Sequence, residues 1–131
     1  MNHENHTLKN EKKEFSIIKR AKSFEHAGRG ISLFIKTTHN AWIHVAATVI
    51  VFFLGVYFHI TKTEWIMLVF AIGFVFASEA FNTAIEIDID LTSPEYHPYA
   101  RDTKDVAAGA VFLSALTALA VGLLIFCPYI F

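Results

Sequence analysis

The sequence predicts an all-α membrane protein, with three transmembrane helices preceded by an amphipathic helix lying on the membrane surface. Three observations carry that reading. The chain has 131 residues, 54% of them apolar, and a mean hydropathy of +0.44, which is more apolar surface than one soluble domain of this size can bury. Three long apolar runs follow one another, each close to the ~20 residues a helix needs to cross a bilayer core. Ahead of them, residues 15–36 mix Phe15, Ile17, Ile18, Phe24, Ile31, Phe34 and Ile35 with charged side chains, the pattern of a helix seated at a membrane surface. The formal charge of −1 lacks the basic surplus of a phosphodiester-binding surface, so no nucleic acid partner is expected.

Residues 1–14 are polar, contain no apolar stretch of the kind a secretory signal requires, and read as a disordered cytosolic tail. Everything from 15 to 131 reads as a single membrane domain, with the surface helix over 15–36. The first span covers about 41–60 and is interrupted only by His44, Thr48 and His59. His44 is expected to pack in the helix bundle; the other histidines read as surface or interfacial groups. After the link Thr61–Glu64, Trp65 opens the second span as an interfacial residue, and residues 65–88 complete it. Pro94 and Pro98 mark residues 92–104 as a loop, and the third span follows at about 106–127, with Gly109 and Gly122 available for close helix packing. Eight of the eleven basic residues, Lys9 to Lys36, precede the first span, and Arg101 and Lys104 lie in the second loop. By the positive-inside rule the N-terminus and the second loop are cytoplasmic. Cys127, the single cysteine, can form neither an internal disulfide nor a metal cage alone.

The second span carries ionisable groups inside it. At about 100° per residue, Asn82, Thr83, Glu86 and Asp90 all fall within roughly 60° of Glu79, while Asp88 faces the opposite way. With Trp65 at the outer interface and a rise of ~1.5 Å per residue, Glu79 lies ~21 Å in and Glu86 ~31 Å in, at the cytoplasmic boundary. An intramembrane carboxylate costs several kcal/mol unless paired or wetted, which makes Glu79 a functional candidate, suited to act as general base for an alcohol. The competing reading is that Glu79 and Asn82 only bond helices together. Glu86, at the water boundary, has the chemistry for a hard cation such as Mg²⁺, which takes one or two carboxylates and completes its shell with water and phosphates. Lys104 supplies a cation for phosphate oxygens, and Asp105 can cap the third span or help hold a nucleotide.

Three stretches together carry a resemblance: Glu79-Ala80-Phe81-Asn82-Thr83-Ala84-Ile85-Glu86 with Asp90, then Ser93-Pro94-Glu95-Tyr96-His97-Pro98, then Lys104-Asp105-Val106-Ala107-Ala108-Gly109-Ala110-Val111. They resemble the signature of the prokaryotic diacylglycerol kinase and undecaprenol kinase family, from about Ser23 to the C-terminus. The resemblance implies a homotrimer of three-span protomers in the bacterial inner membrane that phosphorylates a lipid hydroxyl with ATP and Mg²⁺. It makes Glu79 the catalytic base, Asn82 a neighbour that sets the reacting geometry, and Glu86 the magnesium ligand. Glu95, Tyr96 and His97 match the loop that contacts the nucleotide, and Lys104 with Asp105 match the pair that holds phosphates and adenosine. Ser23-Phe24-Glu25-His26-Ala27 and Gly30 resemble the surface-helix motif; His26 stands where the family usually has Tyr, and Lys19 falls near a basic nucleotide contact.

Two further departures from the family pattern lie just before the first span: Thr38 replaces a second metal carboxylate and Trp42 replaces a cation. A hydroxyl is a neutral ligand, so weakened metal binding is expected rather than lost activity. The alternative is a catalytically impaired or non-catalytic binding or assembly protein of the same fold. A transporter fits poorly, because three spans offer too little wall for a pathway unless several chains assemble, and the sequence shows no broken-helix pair. Between undecaprenol and diacylglycerol as acceptor, the Ser93–Pro98 stretch is closer to the undecaprenol kinases of Gram-positive bacteria.

Overall fold

The computed structural model describes residues 17–131 and consists of four helices: α1 (Ile17–Thr37), α2 (His39–Tyr57), α3 (Lys62–Thr92) and α4 (Pro98–Ile130). The tail expected over residues 1–14, and Phe15 at the start of the surface helix, lie outside the described residues. The architecture is the all-α membrane fold that the apolar runs predict, since α2, α3 and α4 are each long and apolar enough to cross a bilayer. The protein is a multi-pass membrane protein.

α1 leaves Ile17, Ile18, Phe24 and Ile31 exposed and buries Phe34, whose ring meets the edge of Phe76 on α3 with centroids 6.4 Å apart. One anchored end and a free apolar face are what a helix resting on a bilayer surface requires. α1 passes almost directly into α2 through Thr38, whose N–H donates to the Phe34 carbonyl at 3.0 Å.

α2 and α3 are joined by a tight turn in which His59 takes a φ of 52°. α3 then starts from a reciprocal cap: Thr61 Oγ1 accepts from the Glu64 N–H, and the Glu64 carboxylate accepts from the Thr61 N–H at 2.7 Å. Tyr129 near the end of α4 donates its hydroxyl to the same carboxylate at 2.9 Å, stapling α4 to the cap. Beside this staple lies the apolar core, Ile60, Leu68, Ile125 and Phe126, with Leu54, Phe58 and Trp65 packed against it.

Two expectations about the third span are corrected. Residues 98–104 are helix rather than loop, because Pro98 sits in the first turn of α4, where its fixed φ helps and its missing N–H costs nothing. Asp105 accordingly lies two turns inside α4 and does not cap it; His97 does, its Nδ1 accepting from the Tyr99 N–H at 3.3 Å. Neither Gly109 nor Gly122 makes a close helix contact, and a Cβ at either would meet no atom within 4 Å. The glycine that a close approach does require is Gly55 on α2, where a Cβ would stand 2.7 Å from Cη2 of Trp65 and 3.1 Å from Cδ1 of Ile60. The Trp65 ring is backed by Phe52, centroids 5.6 Å apart, and has little room to retreat. Gly55→Ala is therefore expected to destabilise the bundle by about 1–3 kcal/mol, the usual cost of overpacking, read as a lowered Tm in detergent.

Candidate functional site

The polar stripe of α3 begins with Glu79, which is 1% exposed although it carries a carboxylate. Burial of this kind costs several kcal/mol unless a partner compensates. The partner is His44 of α2, whose Nε2 stands 3.0 Å from Glu79 Oε1. The imidazole is set in place by Phe76, whose ring meets it at 72° with centroids 6.3 Å apart. Sequence reasoning gave His44 a packing role and missed this contact. The signal was available: His44 lies 17 residues before Thr61 and Glu79 lies 17 residues after Lys62, so a helical hairpin turning there brings the two to equal depth.

One turn along, Asn82 donates from Nδ2 to Glu86 Oε1 at 2.9 Å, an i,i+4 bond along the helix face. Its Oδ1 is buried with no hydrogen-bond partner. Thr83, also buried, shares a hydrogen bond with Thr38, their hydroxyls 2.7 Å apart. Thr38 spends its side chain on this link and does not cap α2. Glu86 itself reaches the surface. Among the described residues, no three His, Cys, Asp or Glu side chains form a cage for a metal. A single carboxylate steadied by an amide, next to an unsatisfied buried carbonyl oxygen, nevertheless matches how Mg²⁺ is held when phosphates and water supply its remaining ligands.

Beyond Glu86 the α3–α4 connection encloses a surface cavity of about 270 Å³. It gathers Glu95, Tyr96, His97 and Lys104 of the predicted nucleotide contacts, together with Asp90 and Arg101. Lys104 forms an ion pair with Asp90, both of them in the lining of this cavity. Asp105 lies outside the lining and faces Arg101, Oδ2 to Nε 3.9 Å. Lys19 and His26 are also outside it, on exposed positions of α1. Along α3, then, a cavity able to take a polar ligand, a surface carboxylate and a buried carboxylate follow in line. Asp90, Glu86 and Glu79 are spaced at ~6 Å and ~10 Å of helix rise.

On the other side of Glu79, a second cavity of about 380 Å³ runs between α2, α3 and α4, from His44 and Phe76 toward Leu68 and Phe126. Its walls are apolar and small at many positions, Ala47, Ala71, Ala115, Ala118 and Gly122 among them. A hydrocarbon chain suits such a lining. The buried carboxylate thus stands between a polar recess and an apolar one.

Comparison with known proteins gives a consistent result. The sequence profile of the family described as prokaryotic diacylglycerol kinase matches residues 25–126. The chain is similar to an undecaprenol kinase of Bacillus subtilis, 43% identical over 107 residues, which are 82% of this chain and 87% of that protein. It is also similar to a diacylglycerol kinase of Synechocystis sp., 37% identical over 101 residues, 76% of this chain and 58% of that protein.

Proposed function

The chain belongs to the prokaryotic diacylglycerol kinase family, and from that premise we propose that it transfers the γ-phosphoryl group of ATP, with Mg²⁺, to the hydroxyl of a membrane lipid of the undecaprenol class. That it is a lipid kinase follows from the family; the nucleotide, the metal and the acceptor are our reading. The observation that carries it is the buried Glu79 on one helix face with Asn82 and Glu86, between a polar and an apolar cavity.

In this reading ATP enters the recess of Glu95, Tyr96 and His97 and its phosphate chain extends along α3 toward Glu79. Lys104 turns from Asp90 to the phosphate oxygens. Glu86, steadied by Asn82, would hold Mg²⁺, with Asn82 Oδ1 available as a further oxygen ligand, and the ion would supply neutralisation of charge on the transferring group. Glu79 accepts the proton of the lipid hydroxyl as its oxygen attacks the γ-phosphorus, and ADP leaves in line. Positioning falls to α3, α4 and the connection between them, since the chain has no Gly-rich phosphate loop. We place the protein in the bacterial inner membrane with the N-terminus and the α3–α4 connection on the cytoplasmic side, and its working unit is a homotrimer. Lys19 and His26, remote from the recess within one protomer, would reach a nucleotide only through α1 movement or a neighbouring protomer.

The test is purified protein in detergent with radiolabelled ATP and Mg²⁺, given undecaprenol and diacylglycerol side by side. Undecaprenol is expected to take the label in clear preference. Labelling of neither lipid defeats the kinase reading, and a preference for diacylglycerol defeats only the choice of acceptor. A non-catalytic binder of the same fold would consume no ATP with or without lipid.

Thr38 makes a further expectation specific. Its neutral hydroxyl leaves the metal site with one carboxylate, so Thr38→Glu is expected to lower the Mg²⁺ concentration for half-maximal rate by about three- to tenfold. A magnesium titration of both proteins checks this; an unchanged midpoint would place residue 38 outside the metal's reach.

A further inference from the structure

Resting on the lipid-kinase reading above, we propose that His44 is a positioning residue for the reaction, holding one oxygen of Glu79 so that the other faces the lipid hydroxyl. Glu79 has few ways to be oriented. Every neighbouring polar side chain on its own helix is committed elsewhere: Ser78 donates to the Phe74 carbonyl, Asn82 to Glu86, and Thr83 bonds Thr38. Among the described residues, the side-chain hydrogen bond of Glu79 is the one to His44, through Oε1 at 3.0 Å. A carboxylate can only accept, so the hydrogen sits on Nε2 and the bond selects the ring's tautomer as well as the carboxylate's rotation.

Location supports a role beyond packing. His44 lines the apolar cavity between α2, α3 and α4, where the acceptor's chain would lie, and it stands at the end of that cavity nearest Glu79. Elsewhere the wall from α2 is Ala47, Thr48 and Val51, so an apolar residue at 44 would pack at least as well. The imidazole is 20% exposed beside a carboxylate 2% exposed, so of the pair it is the ring that borders the cavity. His44 reacts with nothing itself; it fixes the direction from which Glu79 takes a proton.

The discriminating experiment compares His44→Leu with His44→Gln in the lipid-phosphorylation assay, alongside wild type and Glu79→Gln. Leucine fills the space without a donor, whereas the glutamine amide can reproduce the Nε2–H. We expect kcat to fall roughly 10–100-fold in His44→Leu, the usual cost of losing a group that orients a reacting ligand or side chain, with KM for ATP within about twofold of wild type. His44→Gln should recover kcat to within about tenfold of wild type. A leucine variant with wild-type kcat, or a glutamine variant no faster than leucine, overturns the proposal. Should the variants fail to fold, site-assigned ¹⁵N spectra of histidine-labelled wild-type protein decide: a hydrogen on Nε2 of His44 is required, and a bare Nε2 overturns the assignment. If wild type phosphorylates lipid and Glu79→Gln does not, an active His44→Leu sinks only the role of His44; an inactive wild type sinks the kinase reading itself.

Discussion

Glu79→Gln should lower lipid phosphorylation by roughly a hundred- to ten-thousand-fold while leaving the protein folded, and this is the largest single effect expected. The reason is the separation of charge from shape at this position. Glutamine keeps the volume of the buried side chain and an oxygen that can still accept from His44, so the helix contact at 3.0 Å survives. What it loses is the ability to take a proton from an alcohol, a contribution of ~10²–10⁴ in rate for a positioned general base. The next carboxylate along this face, Glu86, is bonded to Asn82 about two turns away and reaches the surface, so it is not sited to replace Glu79. Phosphate transfer from radiolabelled ATP, read beside gel-filtration elution and Tm, checks the result. Turnover at the wild-type rate in a folded Glu79→Gln protein would remove the carboxylate from the mechanism.

Glu86→Gln should give the second-largest effect, and of a different kind. The variant preserves the acceptor for Asn82 Nδ2, so local structure stays, but it removes the carboxylate to which the cation is assigned. Sites that rely on a single carboxylate have no reserve, since Mg²⁺ otherwise depends on phosphate oxygens and water. The Mg²⁺ concentration for half-maximal rate is expected to rise at least about tenfold, with kcat at saturating metal also reduced. A magnesium titration separates this from Glu79→Gln, whose defect should persist at any metal concentration. Equal magnesium midpoints in wild type and Glu86→Gln would assign the ion to other ligands.

The sequence made the membrane architecture legible because hydrophobic length is a strong signal: crossing a bilayer admits few alternatives to three long apolar helices. It also made the stripe of Glu79, Asn82 and Glu86 legible, since residues three, four and seven apart must share one helix face. Contacts between helices were far harder to read. His44 in an apolar span looks like any packed histidine until the turn at Thr61–Lys62 is used to measure depth from both sides. The pairing of Thr38 with Thr83 depends on how α1 enters α2, which no periodicity encodes. Proline misled at 98, where it begins a helix instead of breaking one, and that error carried Asp105 to the wrong place as a cap. Glycine misled as well: Gly109 and Gly122 suggested close packing, while the crowded position is Gly55 against Trp65.

The bond between Tyr129 and Glu64 has a mechanical consequence. It ties the ends of α3 and α4 together beside the apolar core, from which the apolar cavity runs back to His44 and Phe76. α3 and α4 are therefore a frame fastened at both ends, at one by this bond and at the other by the short connection 93–97 with its Asp90–Lys104 ion pair. On the lipid-kinase reading, a greasy tail would have to enter beside α2, whose His44, Ala47 and Val51 wall the apolar cavity, and not by prising that frame apart.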